Sequence, residues 1–376
     1  MKLSSIECND LGVLALFENG KRSLYPYIWL RDNDPAGFHP DTRERTFDLT
    51  SVALDVQPLH HACTRDALSL SWPDSDRVSV FDAAWLYRHR PGVRRSDPSR
   101  VLQRTWSAET LDNLPRFSAQ ACRSDPHELA EMLTELKRLG IVVVEQLDDD
   151  PAAGELFGDL IGFKRETNYG VMFEVINKPD PINLAYTALA LPLHTDLANQ
   201  EFVPGVQFLH CVANTATGGD SVFADGFQIC HDLAHEEPDV FETLKATSVP
   251  WRFFDDTCDI ISHWPVIQQA DDGQFEALTF NAHLADIPDL ESEQMIRFYA
   301  AYQNIMRRIR SDKYRVEYRF KPGEMIIMAN RRVLHGRTEF DPMSGFRHLR
   351  GYYIEMNEIN SRLRVIERER LAVKTT

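Results

Sequence analysis

The chain has no Cys-x-x-Cys pair, and its six cysteines, Cys8, Cys63, Cys122, Cys211, Cys230 and Cys258, are scattered. Such spacing argues against a thiolate zinc site and a disulfide scaffold, and suits reduced, mostly buried thiols. No apolar run approaches the roughly 18 residues of a membrane span, and Met1-Lys2-Leu3-Ser4-Ser5 leads into acidic residues rather than a signal-peptide core. A cytoplasmic protein without membrane contacts is expected. Positive charge is also scarce: 41 Lys and Arg stand against 57 Asp and Glu, a net charge of −16. An acidic surface makes nucleic acid and anionic membranes poor partners.

With 376 residues and 43% apolar content, the chain can bury a large core and a smaller second one. Residues 1–100 read as a small β-rich domain: Val13–Phe17 turns at Asn19-Gly20, Tyr25–Leu30 follows as a strand, and Leu68–Trp72 alternates with period two. Residues 101–125 read as a connection. From 126 onward strands dominate and helices decorate them. Asp125-Pro126 opens a helix that Gly140 ends, Ile141–Val144 is a buried strand, and Ser292–Ile309 has the 3.6 spacing of a long amphipathic helix. The fold class is mainly β, because strand and helix do not alternate regularly enough for a doubly wound sheet.

The chemistry centres on Leu191-Pro192-Leu193-His194-Thr195-Asp196. In an extended segment His194 and Asp196, two apart, share a face and can offer a nitrogen and a carboxylate oxygen to one ion. His335, just after the apolar run Met325–Met328, is the best third ligand. Two His and one carboxylate leave the opposite coordination positions open, as in non-haem Fe(II) oxygenases. About one His-x-Asp is expected by chance at ordinary residue usage. His39-Pro40-Asp41, in a turn-rich stretch, supplies that decoy.

The wider pattern is more specific. Leu193-His194-Thr195-Asp196, Pro204-Gly205-Val206-Gln207, Leu209-His210-Cys211, Thr217-Gly218-Gly219-Asp220-Ser221, Asp225-Gly226-Phe227 and Leu334-His335-Gly336-Arg337 with Arg347-His348-Leu349 and Gly351-Tyr352-Tyr353 occur in order. Together they resemble the γ-butyrobetaine dioxygenase family, a branch of the taurine-dioxygenase-like Fe(II)/2-oxoglutarate oxygenases, from about Tyr25 to the C-terminus. The resemblance implies a distorted double-stranded β-helix over 126–376, with His194, Asp196 and His335 holding Fe(II). It implies that Arg347 pairs with the distal carboxylate of 2-oxoglutarate, whose planar match is a guanidinium. It also implies an aromatic cage at Tyr169, Phe173, Tyr186 and Tyr353 for a trimethylammonium group, and polar contacts from Asn183 and Asn281. A homodimer using dioxygen to turn γ-butyrobetaine into L-carnitine is the implied enzyme.

Departures are equally readable. Where relatives carry three clustered Cys this chain has Asp32–His39, and Asp76 replaces the fourth ligand, so no structural zinc is expected. Leu197 stands in place of Tyr and Phe173 in place of Trp, while Ala282 and His283 replace other polar residues. A changed acid-binding end keeps a phosphonate such as 2-(trimethylammonio)ethylphosphonate in play, with trimethyllysine behind it. Two rivals remain from other classes. A zinc hydrolase would need a nearby Glu base and no Arg347, and a non-catalytic betaine-binding protein would be indifferent to His335.

Overall fold

In the strand Ile141–Glu145 every side chain from Ile141 to Val144 is buried, and successive residues leave on opposite faces. Val142 and Val144 join one core and Ile141 and Val143 another, so a short apolar run specifies a strand covered on both sides. The computed structural model describes residues 1–111, 113–148, 150–176 and 187–373. It divides into two units, Met1–Asp97 and Pro98–Thr376.

The first unit holds two three-stranded antiparallel sheets, Leu3–Cys8, Gly12–Phe17 and Arg22–Pro26, then His60–Cys63, Ala67–Ser71 and Val78–Asp82. Val13, Phe17, Tyr25, Leu68, Leu70, Trp72 and Phe81 form its core. The strand expected over Tyr25–Leu30 ends at Pro26, and Tyr27–Asp32 is a helix instead. Tyr27, Leu30 and Arg31 are buried at helical spacing, so tertiary burial overrides the β propensity of the aromatic run. Arg31 forks onto Asp74 (Nε to Oδ1 3.2 Å, Nη2 to Oδ2 2.6 Å), and Trp72 donates to Ser79, which donates to Asp34.

In the second unit, Arg116–Ser118, Ile141–Glu145, Met325–Ala329, Val206–Asn214, Arg347–Ile354 and Phe173–Val175 neighbour one another in a seven-stranded sheet, with Lys164–Arg165 beside Arg347–Ile354. Residues 101–125, read as a connection, contribute to this unit: Trp106 is buried and Arg116–Ser118 pairs in parallel with Ile141–Glu145. Helices Pro126–Leu139 and Met356–Val373 cover one face through Leu129, Leu133, Leu136, Ile359 and Leu363. A four-stranded sheet of Leu191–His194, Val333–Arg337, Ser221–Asp225 and Val316–Tyr318 lies against the other face, where Phe223 and Val333 meet Leu209, Ile326 and Met328. Helices Gly226–Glu236, Pro238–Ala246 and Ser292–Ile309 cover its outer side through Leu193, Val222 and Leu334. Two facing sheets with helices outside form the double-stranded β-helix.

Alternation then fixes where the key side chains go. Leu193 and Leu334 face the helices, so His194 and His335, one residue on, face inward between the sheets. One ion pair ties this sheet to its surroundings. Arg332 forks onto Asp225 (Nε to Oδ1 3.0 Å, Nη2 to Oδ2 2.8 Å), while Trp106 N and Phe227 N also donate to that carboxylate. Both charges are buried, so Asp225→Ala leaves Arg332 uncompensated and should cost about 3–5 kcal/mol, read as a lower urea midpoint.

His210 supplies a pH prediction. Burial lowers its pKa below the usual imidazole value, so the unfolded chain takes up a proton that the folded chain refuses. Stability therefore falls as pH drops through about 6.5, by at most about 1.4 kcal/mol per pH unit for one such group. The midpoint loss between pH 7 and 5.5 should be smaller in His210→Leu than in the parent.

Candidate active site

His194 and His335 are directly opposed residues on antiparallel strands, which brings their ring centroids to 4.4 Å. Asp196 Oδ1 lies 3.2 Å from His194 Nε2 and 3.5 Å from His335 Nε2. Donor atoms about 2 Å from one ion and at right angles lie about 3 Å apart, so the three atoms fit a metal on one face. Among the described residues these three form the group of His, Cys, Asp or Glu donors that could hold an ion.

Two of the three ligands are held from behind, while His335 Nδ1 is buried with no hydrogen-bond partner among the described residues. His194 Nδ1 is 2.9 Å from the Pro192 carbonyl, which fixes the proton there and leaves the Nε2 lone pair for the metal. Asn330, fully buried, accepts from Asp196 N (2.8 Å) and donates to Asp196 O (3.0 Å) and Pro204 O (3.0 Å). Thr195 pairs with Phe280 through N to O at 2.7 Å. Leu197 then leaves in the left-handed region, φ +56°, a conformation that a branched side chain adopts only under constraint.

Burial pushes the Asp196 carboxyl up and the His335 imidazole down. For Asp196 the pull of the two imidazoles wins, and its pKa falls well below the carboxylate range. An ionised carboxylate is the ligand form a metal requires.

The triad lines a cavity of about 300 Å³ that also receives Tyr169, Phe173, Asn281, Arg347 and Tyr353. Phe173 stacks on Tyr353 with centroids 5.2 Å apart, and Tyr169 meets Phe253 edge-on at 5.8 Å. Gly351 makes the first stack possible, since a Cβ there would lie 2.4 Å from Phe173 Cζ. Arg347 is buried, with Nε donating to Gly219 O at 3.2 Å; Gly219, at φ +72°, leaves space for its side chain. Burial, and then repulsion from Arg337, lower the pKa of Arg347 to about 10, and burial does the same for Arg337. Two guanidiniums against the single carboxylate of the described lining give the cavity a surplus of positive charge.

The taurine catabolism dioxygenase TauD, TfdA family model matches residues 99–353. A γ-butyrobetaine dioxygenase from Pseudomonas sp. (strain AK-1) is 33% identical over 363 residues, covering 95% of this chain and 94% of that one. The chain belongs to the TauD/TfdA family. The γ-butyrobetaine dioxygenase of Homo sapiens is 32% identical over 367 residues, covering 93% of each chain. The structure of an asparagine oxygenase in complex with Fe(II), 3-hydroxyasparagine and succinate matches with TM-score 0.51 and 19% identity over 63% of this chain and 83% of that one, a likeness of fold.

This TauD/TfdA-family chain is a dioxygenase, with Fe(II) as cofactor and 2-oxoglutarate as cosubstrate. The donor set fits Fe(II), and the positive cavity fits a dianionic keto-acid. Of the residues expected from sequence, His194, Asp196, His335, Arg347, Tyr169, Phe173, Asn281 and Tyr353 come together; Asn183 and Tyr186 lie outside the described residues. Asn281 lines the cavity but also donates to Thr195 O (3.3 Å) and accepts from His283 N (3.1 Å), so part of its amide is occupied by the backbone.

Sequence reasoning passed over Gln207, Phe253, Asn330 and Arg337. Arg337 follows His335 by two on the same strand face, a signal that alternation could have given. The decoy His39 is a turn residue whose Nδ1 accepts from Asp41 N (3.3 Å) and Thr42 N (3.2 Å). No Glu lies among the described lining, so the base required by the hydrolase alternative has no candidate there. Among the described residues no helix is long and apolar enough to cross a membrane.

Proposed function

We propose that this dioxygenase hydroxylates a C–H bond of a short trimethylammonium substrate, γ-butyrobetaine giving L-carnitine being the favoured case. The overall reaction consumes dioxygen and 2-oxoglutarate and yields the alcohol, succinate and CO₂. The observation that carries this reading is one cavity bringing His194, Asp196 and His335 together with the buried Arg347 and the stacked rings of Phe173 and Tyr353.

When bound, Fe(II) supplies the dioxygen activation that an unactivated C–H bond needs. His194, Asp196 and His335 would hold it and leave the opposite side open to cosubstrate. Arg347 takes the distal carboxylate of 2-oxoglutarate with two parallel hydrogen bonds, in a site dry enough to make that pairing strong. Phe173, Tyr353 and Tyr169 present ring faces to the ammonium group, which cannot donate a hydrogen bond, and Tyr186, outside the described residues, is the fourth aromatic residue expected for the cage. Asn281 and Asn183 serve the acidic end. With the cation fixed, chain length decides which carbon is presented for reaction.

Ala282 and His283, the latter lining the cavity, support 2-(trimethylammonio)ethylphosphonate as a second reading, because they alter the acidic end and leave the cage alone. The same proposal includes a cytoplasmic homodimer.

The test is turnover with γ-butyrobetaine, the phosphonate and trimethyllysine, following succinate and hydroxylated product. A cage contributes roughly 2 kcal/mol when desolvated. The isostere 5,5-dimethylhexanoate, with a neutral tert-butyl group in place of the trimethylammonium, should therefore show a kcat/KM lower by about 30-fold. Equal turnover of the isostere would remove the aromatic cage from the account.

A further inference from the structure

The two oxygens of Asp196 have different surroundings. Oδ1 faces both histidine Nε2 atoms, at 3.2 and 3.5 Å. Oδ2 accepts from Tyr353 Oη at 2.7 Å and from Gln207 Nε2. Gln207 and Tyr353 are cross-strand partners on neighbouring antiparallel strands, so the backbone register delivers both donors to one spot. Both are buried, Gln207 at 2% and Tyr353 at 4% exposure, which makes the pair costly to rearrange. Asn330 meanwhile holds the Asp196 backbone at both its N–H and its carbonyl.

We propose that Gln207 and Tyr353 are positioning residues that occupy Asp196 Oδ2 and so keep Asp196 a one-oxygen ligand. The inference rests on the metal-centre reading above and deepens it. Two imidazoles and one carboxylate oxygen leave three positions of a six-coordinate ion, two for a chelating keto-acid and one for dioxygen. A carboxylate binding through both oxygens takes one of these. Two hydrogen bonds to Oδ2 oppose that swing, because the oxygen would have to shed both donors and leave them unpaired in a buried site. The arrangement also joins the two halves of the cavity, since the Tyr353 ring that anchors the carboxylate is the ring stacked on Phe173.

Tyr353→Phe keeps the ring and its stack while deleting the donor, and Gln207→Met is close in shape with no donor. The test is an anaerobic titration of each full-length variant with Co(II), reading affinity and visible absorption, with the unfolding midpoint measured alongside. Each variant should bind Co(II) about 10-fold more weakly, the double variant more weakly still, with an absorption band altered from that of the parent. Parental affinity and spectrum in Tyr353→Phe would overturn the inference, as would weaker binding with an unchanged spectrum, the mark of a purely structural role. If Gln207→Met does not fold, Tyr353→Phe decides alone. A parent protein that binds no Co(II) would instead remove the metal centre itself.

Discussion

His335→Ala should reduce metal affinity by more than about 100-fold, beyond what loss of an outer hydrogen-bond partner costs, and take hydroxylation below detection. The reason is geometric. The described residues bring three donors to the site, and one of them comes from a strand 139 to 141 residues away in sequence from the other two, as the numbering of His194, Asp196 and His335 shows. His194 and Asp196 alone offer two donors, and two hold a divalent ion weakly against water. Truncation also leaves a pocket in the inner face of the sheet, but Leu334 and Val333 still anchor the strand in both cores. The folded state should therefore survive, and circular dichroism with metal titration and a succinate assay separates lost ligation from lost fold. A betaine-binding protein would keep its cation affinity in this variant, whereas the dioxygenase loses turnover.

Arg347→Ala is expected to act on the other half of the chemistry. Removing one partner of a buried charged pair costs roughly 2–5 kcal/mol, so the KM for 2-oxoglutarate should rise by about 30-fold to several thousand-fold. Arg347→Lys should recover only part of this, because an ammonium cannot reproduce the two parallel bonds of a guanidinium. The empty protein should respond in the opposite sense. Burial and the nearby Arg337 lower the Arg347 pKa to about 10, below that of an exposed guanidinium, so its charge is a cost at neutral pH until an anion arrives. In the absence of 2-oxoglutarate the unfolding midpoint of Arg347→Ala should equal or exceed that of the parent. Weak cosubstrate binding with undiminished stability is the signature of a binding residue; equal losses of both would make Arg347 structural.

How much of this was legible beforehand depends on whether the signal was local. Ser292–Ile309 was readable to the residue because its apolar face repeats every 3.6 positions. His335 was singled out by its place after the apolar run Met325–Met328, and the family motifs supported it and added Arg347. Gln207 and Asn330 carried no comparable signal. Their partner is Asp196, 11 and 134 residues away, and a side-chain amide looks the same in sequence whether it meets water or a metal ligand. The helix at Tyr27–Asp32 was hidden for a related reason: the three aromatic residues of Tyr25–Leu30 favour a strand locally, and only burial of Tyr27, Leu30 and Arg31 on one face reverses the preference.

The most direct test of the central claim is anaerobic addition of Fe(II) and 2-oxoglutarate to the intact protein, followed by visible absorption. Chelation of the keto-acid on an iron held by His194, Asp196 and His335 should produce a charge-transfer band that needs both components and whose 2-oxoglutarate dependence weakens in Arg347→Ala. A folded protein that gives no band with both present would contradict the account at its base.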